Sequence, residues 1–188
     1  MTMITLGLAG AIGHDPAAAL FVDGKLIAAV EEERLIRRKH AKQETPYHAA
    51  RQCLRMAGIR ADEVTHVAIP YAPISLFSKA RWHYAYRHWY APDRALDSLF
   101  NGNRRYHRYR KDLHSLLEQL HIPLSRVTLV PVRHLLAHAS SGYHLTETDE
   151  KTAIFCLDSK GEYSNMFFGY GEAEIGRASC RERVCHRV

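Results

Sequence analysis

Apolar positions in the first thirty residues gather into three short runs, 5–11, 17–22 and 25–30. Their shortness and apolar character fit strands. Asp23-Gly24 separates the second from the third. That dipeptide is a strong hairpin signal, because a two-residue turn of this hand needs positive φ at both central positions. Residues 46–58 fit a helix: Thr45 can cap it, Pro46 takes its first turn and Gly58 ends it. A strand follows at 64–70, then a long stretch of helical pattern over 75–121. Beyond it the spacing predicts a strand at 126–132, a short helix at 134–144, and strands at 152–158 and 164–170. A leading hairpin followed by alternating helices and strands is an α/β or mixed α/β arrangement. The glycine-bearing turns between strands suit a fold that holds phosphates on backbone amides.

The pattern holds through Gly171 and then lapses. Residues 177–188 show neither a helical nor a strand period. They read as translated vector or adapter sequence, to be set apart from residues 1–176. A natural basic tail is the alternative. A metal site through Cys180, Cys185 and His186 lacks a fourth ligand and a Cys-x-x-Cys pair. This tail carries four Arg and one Glu, hence +3 of the formal net charge of +6. The remaining 176 residues are therefore only mildly basic, which removes charge as an argument for a nucleic-acid partner.

At 188 residues, 46% hydrophobic and 24% charged, the chain has globular composition and room for one domain or two small ones. No apolar run reaches the roughly 18 residues of a membrane span, and the start lacks the basic segment of a signal peptide. A cytoplasmic protein with no membrane partner is expected. Cys53 and Cys156 lie in apolar surroundings and read as small buried hydrophobes rather than a disulfide pair.

His134 and His138 stand four apart on the helix expected at 134–144, so both rings project from one face and could reach one metal ion. With 13 His in the chain, about one such pair arises by chance, and spacing alone favours ordinary histidines. Asp158 strengthens the pair. It ends an apolar strand just before a turn through Lys160-Gly161, where a carboxylate is costly unless bonded or bound to a cation. His14-Asp15 occupies the loop before the hairpin, where Asp15 could equally set an Asx turn ahead of Pro16. The switch from Glu31-Glu32-Glu33-Arg34 to Arg37-Arg38-Lys39-His40 is either a solvated connection with weak ion pairs or places Lys39 or Arg38 on a phosphate. Between Arg81 and Lys111 lie seven Arg and eight aromatics against Asp93 and Asp97. They could form a single-strand nucleic-acid platform. No recognised nucleic-acid motif accompanies them, so a helical insertion with Trp82, Trp89 and Phe100 packed inward is expected instead.

Taken together, these motifs bear a resemblance. The run from Leu6 through Gly13-His14-Asp15-Pro16 and Val22-Asp23-Gly24-Lys25 to Glu31-Glu32-Glu33-Arg34 closely resembles the opening of the NodU/CmcH-type carbamoyltransferases. Arg37-Arg-Lys-His40, Pro46 and a helix containing Cys53-Leu54 and Ala57-Gly58 keep the family's order. His134-Leu-Leu-Ala-His-Ala-Ser-Ser-Gly-Tyr143 and Cys156-Leu-Asp-Ser-Lys-Gly-Glu-Tyr163 resemble its two metal-proximal motifs. Leu135 stands where the family often has a second His, and Ser159 where it has Gly.

The resemblance implies the first lobe of an actin/Hsp70/sugar-kinase-like (ASKHA) α/β fold, akin to the universal tRNA threonylcarbamoyl transferases, with a mixed sheet and a helical insertion at about 75–121. It implies that His134, His138 and Asp158 hold a divalent metal, iron-like, with manganese or zinc as alternatives. His14 would lie at the reacting carbamoyl group, and Lys39 and Gly161 at the phosphate of the adenylate. A YrdC-like domain would make carbamoyl adenylate from ATP and carbamoyl phosphate. The lobe would then pass the carbamoyl group to a hydroxyl of a small acceptor, a sugar or antibiotic-like compound. A further Asp ligand, the second half of the fold and the YrdC-like domain would lie beyond residue 176, so the chain alone is expected to be inactive. An ATPase or sugar-kinase relative is the rival within the same fold. The sequence leaves the oligomeric state open.

Overall fold

The computed structural model describes residues 2–10, 15–146, 151–158 and 161–171, together with the backbone of 179–182. The chain divides into two compact units, one of Met1–Pro70 with Arg104–Pro131, the other of Tyr71–Asn103 with Val132–Val188. It begins with strands β1 (Ile4–Ala9), β2 (Ala17–Val22) and β3 (Lys25–Glu31). Helices α1 (Glu32–Ile36) and α2 (Tyr47–Ala57) and strand β4 (His66–Ile69) follow. The chain then enters the second unit for α3 (Lys79–Arg87) and α4 (Pro92–Asn101). It returns for α5 (Arg104–Gln119) and β5 (Thr128–Pro131). The second unit is completed by α6 (His134–His144), β6 (Thr152–Leu157), β7 (Met166–Gly171) and β8 (Ser179–Glu182).

In the first unit, β1, β2 and β3 form an antiparallel meander, and β4 and β5 extend it in parallel, giving the order β3-β2-β1-β4-β5. This is a mixed sheet, antiparallel over β3-β2-β1 and parallel from β1 to β5. Leu6 pairs with Leu20 on one side and Val67 on the other, and all three are fully buried. The two-residue period thus gives the sheet one apolar face, shared with Leu8 and Ile69. The β2–β3 turn has φ of 47° at Asp23 and 82° at Gly24, as the hairpin signal requires. The Asp23 carboxylate also accepts the Met3 N–H at 2.8 Å, tying the turn to the start of β1.

Helix α2 packs on β2 and β3. Gly58 ends it in the left-handed region, at φ 66°. Its start differs from the expectation: Pro46 is the N-cap, and no local side chain caps it. Glu32, 1% exposed, does so from a distance. Its carboxylate accepts the N–H of His48 at 3.1 Å and of Ala49 at 2.7 Å, and bonds His48 Nδ1 at 2.6 Å.

The helical stretch expected over 75–121 is three helices shared between the units. Tyr109, Leu113, Leu116 and Leu117 form the buried stripe of α5, and the Tyr109 hydroxyl donates to the Leu8 carbonyl at 2.7 Å. The inward packing expected of Trp82, Trp89 and Phe100 is not found, since they are 52%, 77% and 73% exposed. The buried positions of α3 are Arg81 and Ala85, one turn apart, and this rotation leaves Trp82 outside. The Trp82 indole N–H donates to the Leu76 carbonyl at 2.9 Å instead.

In the second unit, β6, β7 and β8 form an antiparallel sheet. Leu135 and Ala139 of α6 pack with Phe167, Ile154 and Cys156 on one face. On the other face Phe155 pairs with Phe168, and both are exposed along with Leu157. Although 177–188 has no strand period, the backbone of 179–182 pairs with β7. The rest of that tail lies outside the described residues. Among the described residues no helix is long and apolar enough to cross a membrane.

Candidate metal centre

Helix α6 begins at His134, and His138 follows one turn later on the same face. Asp158 is the residue after β6. The turn that follows is narrow: Asp158 N–H donates to the Asn165 carbonyl and Gly161 N–H to the Ser164 carbonyl, each at 2.9 Å. A Cβ on Gly161 would stand 2.4 Å from the Ser164 oxygen and 3.3 Å from Leu135 Cγ, so only glycine lets this turn lie against α6. The result is a meeting of three side chains. His134 Nε2 lies 2.8 Å and His138 Nε2 3.7 Å from Asp158 Oδ2. The two rings stand nearly perpendicular, at 83° with centroids 4.7 Å apart.

One ligand atom from each residue lies within 4.8 Å of the other two. Two imidazole nitrogens and one carboxylate oxygen form the donor set of the two-His-one-carboxylate triad, which suits iron(II) and related divalent ions and leaves coordination positions open. His134 is the more enclosed, at 16% side-chain exposure against 27% for Asp158 and 52% for His138. The residues present therefore fit a divalent metal.

Two neighbours hold His134. The Tyr71 ring lies flat on its imidazole, with centroids 4.9 Å apart and planes 4° from parallel. Arg133 is the N-cap of α6 but supplies no side-chain cap. Glu162 Oε1 accepts the His134 N–H at 2.9 Å and also the Ala72 N–H at 3.3 Å. Neither residue was singled out by sequence reasoning. Glu162 lay inside the motif around Asp158, but a contact across 90 residues leaves no local trace. Nearby, burial pushes the Cys156 thiol up, and the Asp158 carboxylate adds to the shift.

Lys39 belongs to the first unit. It lines an open cavity of about 580 Å³ with Glu33, Arg34 and Arg37. This segment has an unusual backbone: Arg37, His40, Ala41 and Gln43 all have positive φ, a conformation that costs on the order of 1 kcal/mol or more per residue and needs support from its surroundings. Support comes from Glu33, whose carboxylate accepts the His40 N–H at 2.7 Å, and from Asp15, bonded to His40 Nδ1 at 2.9 Å. The Asp15 N–H donates to the His40 carbonyl at 2.9 Å. His14 lies outside the described residues, as do Ser159 and Lys160. The Gly161 N–H is committed within its own turn.

Comparison with known proteins sets this geometry in a family. The family described as Carbamoyltransferase N-terminus matches residues 4–178. The chain belongs to that family. Its relatives include the uncharacterized protein sll1178 of Synechocystis sp., 31% identical over 85% of this chain. Another is Nodulation protein NolNO of Sinorhizobium fredii, 29% identical over 90% of it. The chain spans about a quarter of the length of these curated relatives, 26% and 25% respectively. Among solved structures it is similar to YeaZ from Pseudomonas aeruginosa, at a TM-score of 0.45 and 15% identity over 98% of this chain and 71% of that one. The carbamoyltransferase N-terminal match takes in His134, His138, Asp158 and the Lys39 segment.

Proposed function

We propose that this chain is the carbamoyl-transfer lobe of an O-carbamoyltransferase that uses carbamoyl adenylate, made from ATP and carbamoyl phosphate, to modify a small hydroxyl compound. The observation that carries the proposal is the convergence of His134, His138 and Asp158 in a member of the carbamoyltransferase N-terminus family. These three residues would hold a divalent, iron-like metal. When bound, such an ion neutralises charge on the adenylate phosphate as AMP departs.

The chain's own groups supply the rest. Lys39, in a cavity with two arginines, offers a point charge to a phosphate. His14, as neutral imidazole, accepts the acceptor's hydroxyl proton while that oxygen bonds to the carbamoyl carbon and the anhydride bond to AMP breaks. The acceptor class is a sugar or antibiotic-like alcohol, and the isolated chain is not expected to turn over.

Metal analysis of the purified chain, beside a variant carrying His134→Ala and His138→Ala, tests this reading. Near-stoichiometric iron, manganese or zinc that is lost in the variant supports it. A folded parent chain that takes up none of the three metals would sink the three-ligand site. A longer enzyme that releases phosphate from nucleotide without carbamoyl phosphate would favour the kinase-like rival.

A further inference from the structure

The metal-bearing helix starts without a cap of its own, and the group that replaces it comes from beyond the third ligand. Four N–H groups at the start of any helix lack partners within it. In α6 one of these belongs to His134 itself, so whatever accepts that N–H fixes the backbone from which the imidazole projects. The acceptor is Glu162 Oε1, at 2.9 Å. The same oxygen takes the N–H of Ala72 at 3.3 Å, and the residue before Ala72 is Tyr71, whose ring covers the His134 imidazole. One carboxylate oxygen thus joins three pieces of chain: the ligand helix, the segment that carries the stacking ring, and the turn that carries Asp158.

We propose that Glu162 is a positioning residue of the metal centre, setting the orientation of His134 through its backbone amide and through the Tyr71 segment. The assignment rests on the metal reading of His134, His138 and Asp158. Glu162 works as a hydrogen-bond acceptor aimed at two amides. A carboxylate at a helix N-terminus also has a favourable field, but the geometry requires only the oxygen. Outer groups that orient ligands commonly change metal affinity ten- to a hundredfold when removed.

The test is Co(II) binding to the full 188-residue chain, followed by visible absorption and by chelator competition. The visible bands report the ligand geometry as well as occupancy. Glu162→Ala is expected to weaken Co(II) about tenfold or more and to alter the spectrum. Glu162→Gln, which keeps an acceptor oxygen at the same reach, is expected to restore the parent spectrum and most of the affinity. If Glu162→Ala does not fold, Glu162→Asp carries the same expectation, because its shorter side chain draws the oxygen back from both amides. A Glu162→Ala chain with the parent's affinity and spectrum overturns the proposal, while leaving the metal site intact. Glu162→Gln as damaged as Glu162→Ala overturns the acceptor assignment. A parent chain that binds no Co(II), or binds it equally after His134→Ala and His138→Ala, overturns the metal reading and this inference with it.

Discussion

Each unit starts a principal helix with a glutamate borrowed from elsewhere in the chain, and the two borrowings differ in kind. Glu32 is almost wholly buried and takes two amides of α2 and the His48 ring. Its unit has a well-filled core that includes Leu6, Leu8, Leu20, Val67 and Ile69. Glu162 is only half-buried and takes one amide of its helix and one from another segment. Its unit has a small core, Leu135, Ala139 and Phe167, with partly buried neighbours. The first device anchors a fold. The second ties the start of α6 to the Ala72 segment. The same chemical group serves stability where water is excluded, because an unpaired buried acceptor or amide is expensive there, and serves geometry where water can replace it.

The sharpest way to break this contrast is to remove both carboxylates in turn. Glu32→Ala leaves two amides of α2, one of them buried, without their acceptor and removes the partner of the exposed His48 ring, and is expected to cost about 3 kcal/mol in urea unfolding. Glu162→Ala is expected to cost about 1 kcal/mol, the usual loss of a helix cap. Equal losses would mean that the two glutamates do the same work.

The second contrast is between closed and open sheet faces. Phe155 and Phe168 lie opposite each other on the uncovered face of β6 and β7, 64% and 56% exposed. An apolar patch of this kind invites association. Replacing both by Ser is expected to lower binding of a hydrophobic dye and to raise the concentration at which the chain self-associates. The stability change should stay within about 0.5 kcal/mol for each exposed site. A double variant that aggregates at the parent's concentration places the sticky surface elsewhere.

The smallest expected effect concerns pH. Burial pushes the Tyr163 phenol above the ordinary tyrosine range, while the Arg81 guanidinium pulls it back. A folded value above the unfolded one means that the folded state holds the proton more tightly. The stability this contributes is complete below about pH 10, the ordinary tyrosine value, and is lost as pH rises through the folded pKa. Unfolding measured from pH 8 to 11 should show the parent losing stability more steeply than Tyr163→Phe. Parallel slopes would place the sensitivity on other groups.

Much of this was legible in the sequence, and the misses have a common cause. The hairpin at Asp23-Gly24, the Gly58 stop and the 134–144 helix were readable because turn chemistry and helical period act between near neighbours. The convergence of His134, His138 and Asp158 was readable as two motifs, one of them a single helical turn. Thr45 was expected to cap α2 because it stands in the right place, yet the cap comes from Glu32, 16 residues before His48. Trp82 was expected inside because it is large and apolar, yet Arg81 and Ala85 set the buried side of α3. Glu162 acts across 28 and 90 residues. Each miss is a choice made by tertiary contact between positions whose local patterns were silent.

The threading of the chain bears on how the protein is made. The second unit takes its first segment, Tyr71–Asn103, before the first unit has received α5 and β5. On a ribosome, Ala72 therefore emerges 90 residues ahead of the glutamate that holds it. At roughly 5–20 residues per second the delay is about 5–20 s. Through that interval α3 and α4 are made ahead of β6 and β7, while the first unit has all its strands once β5 has emerged. Synthesis order thus completes the first unit's sheet before Asp158 and Glu162 can join His134.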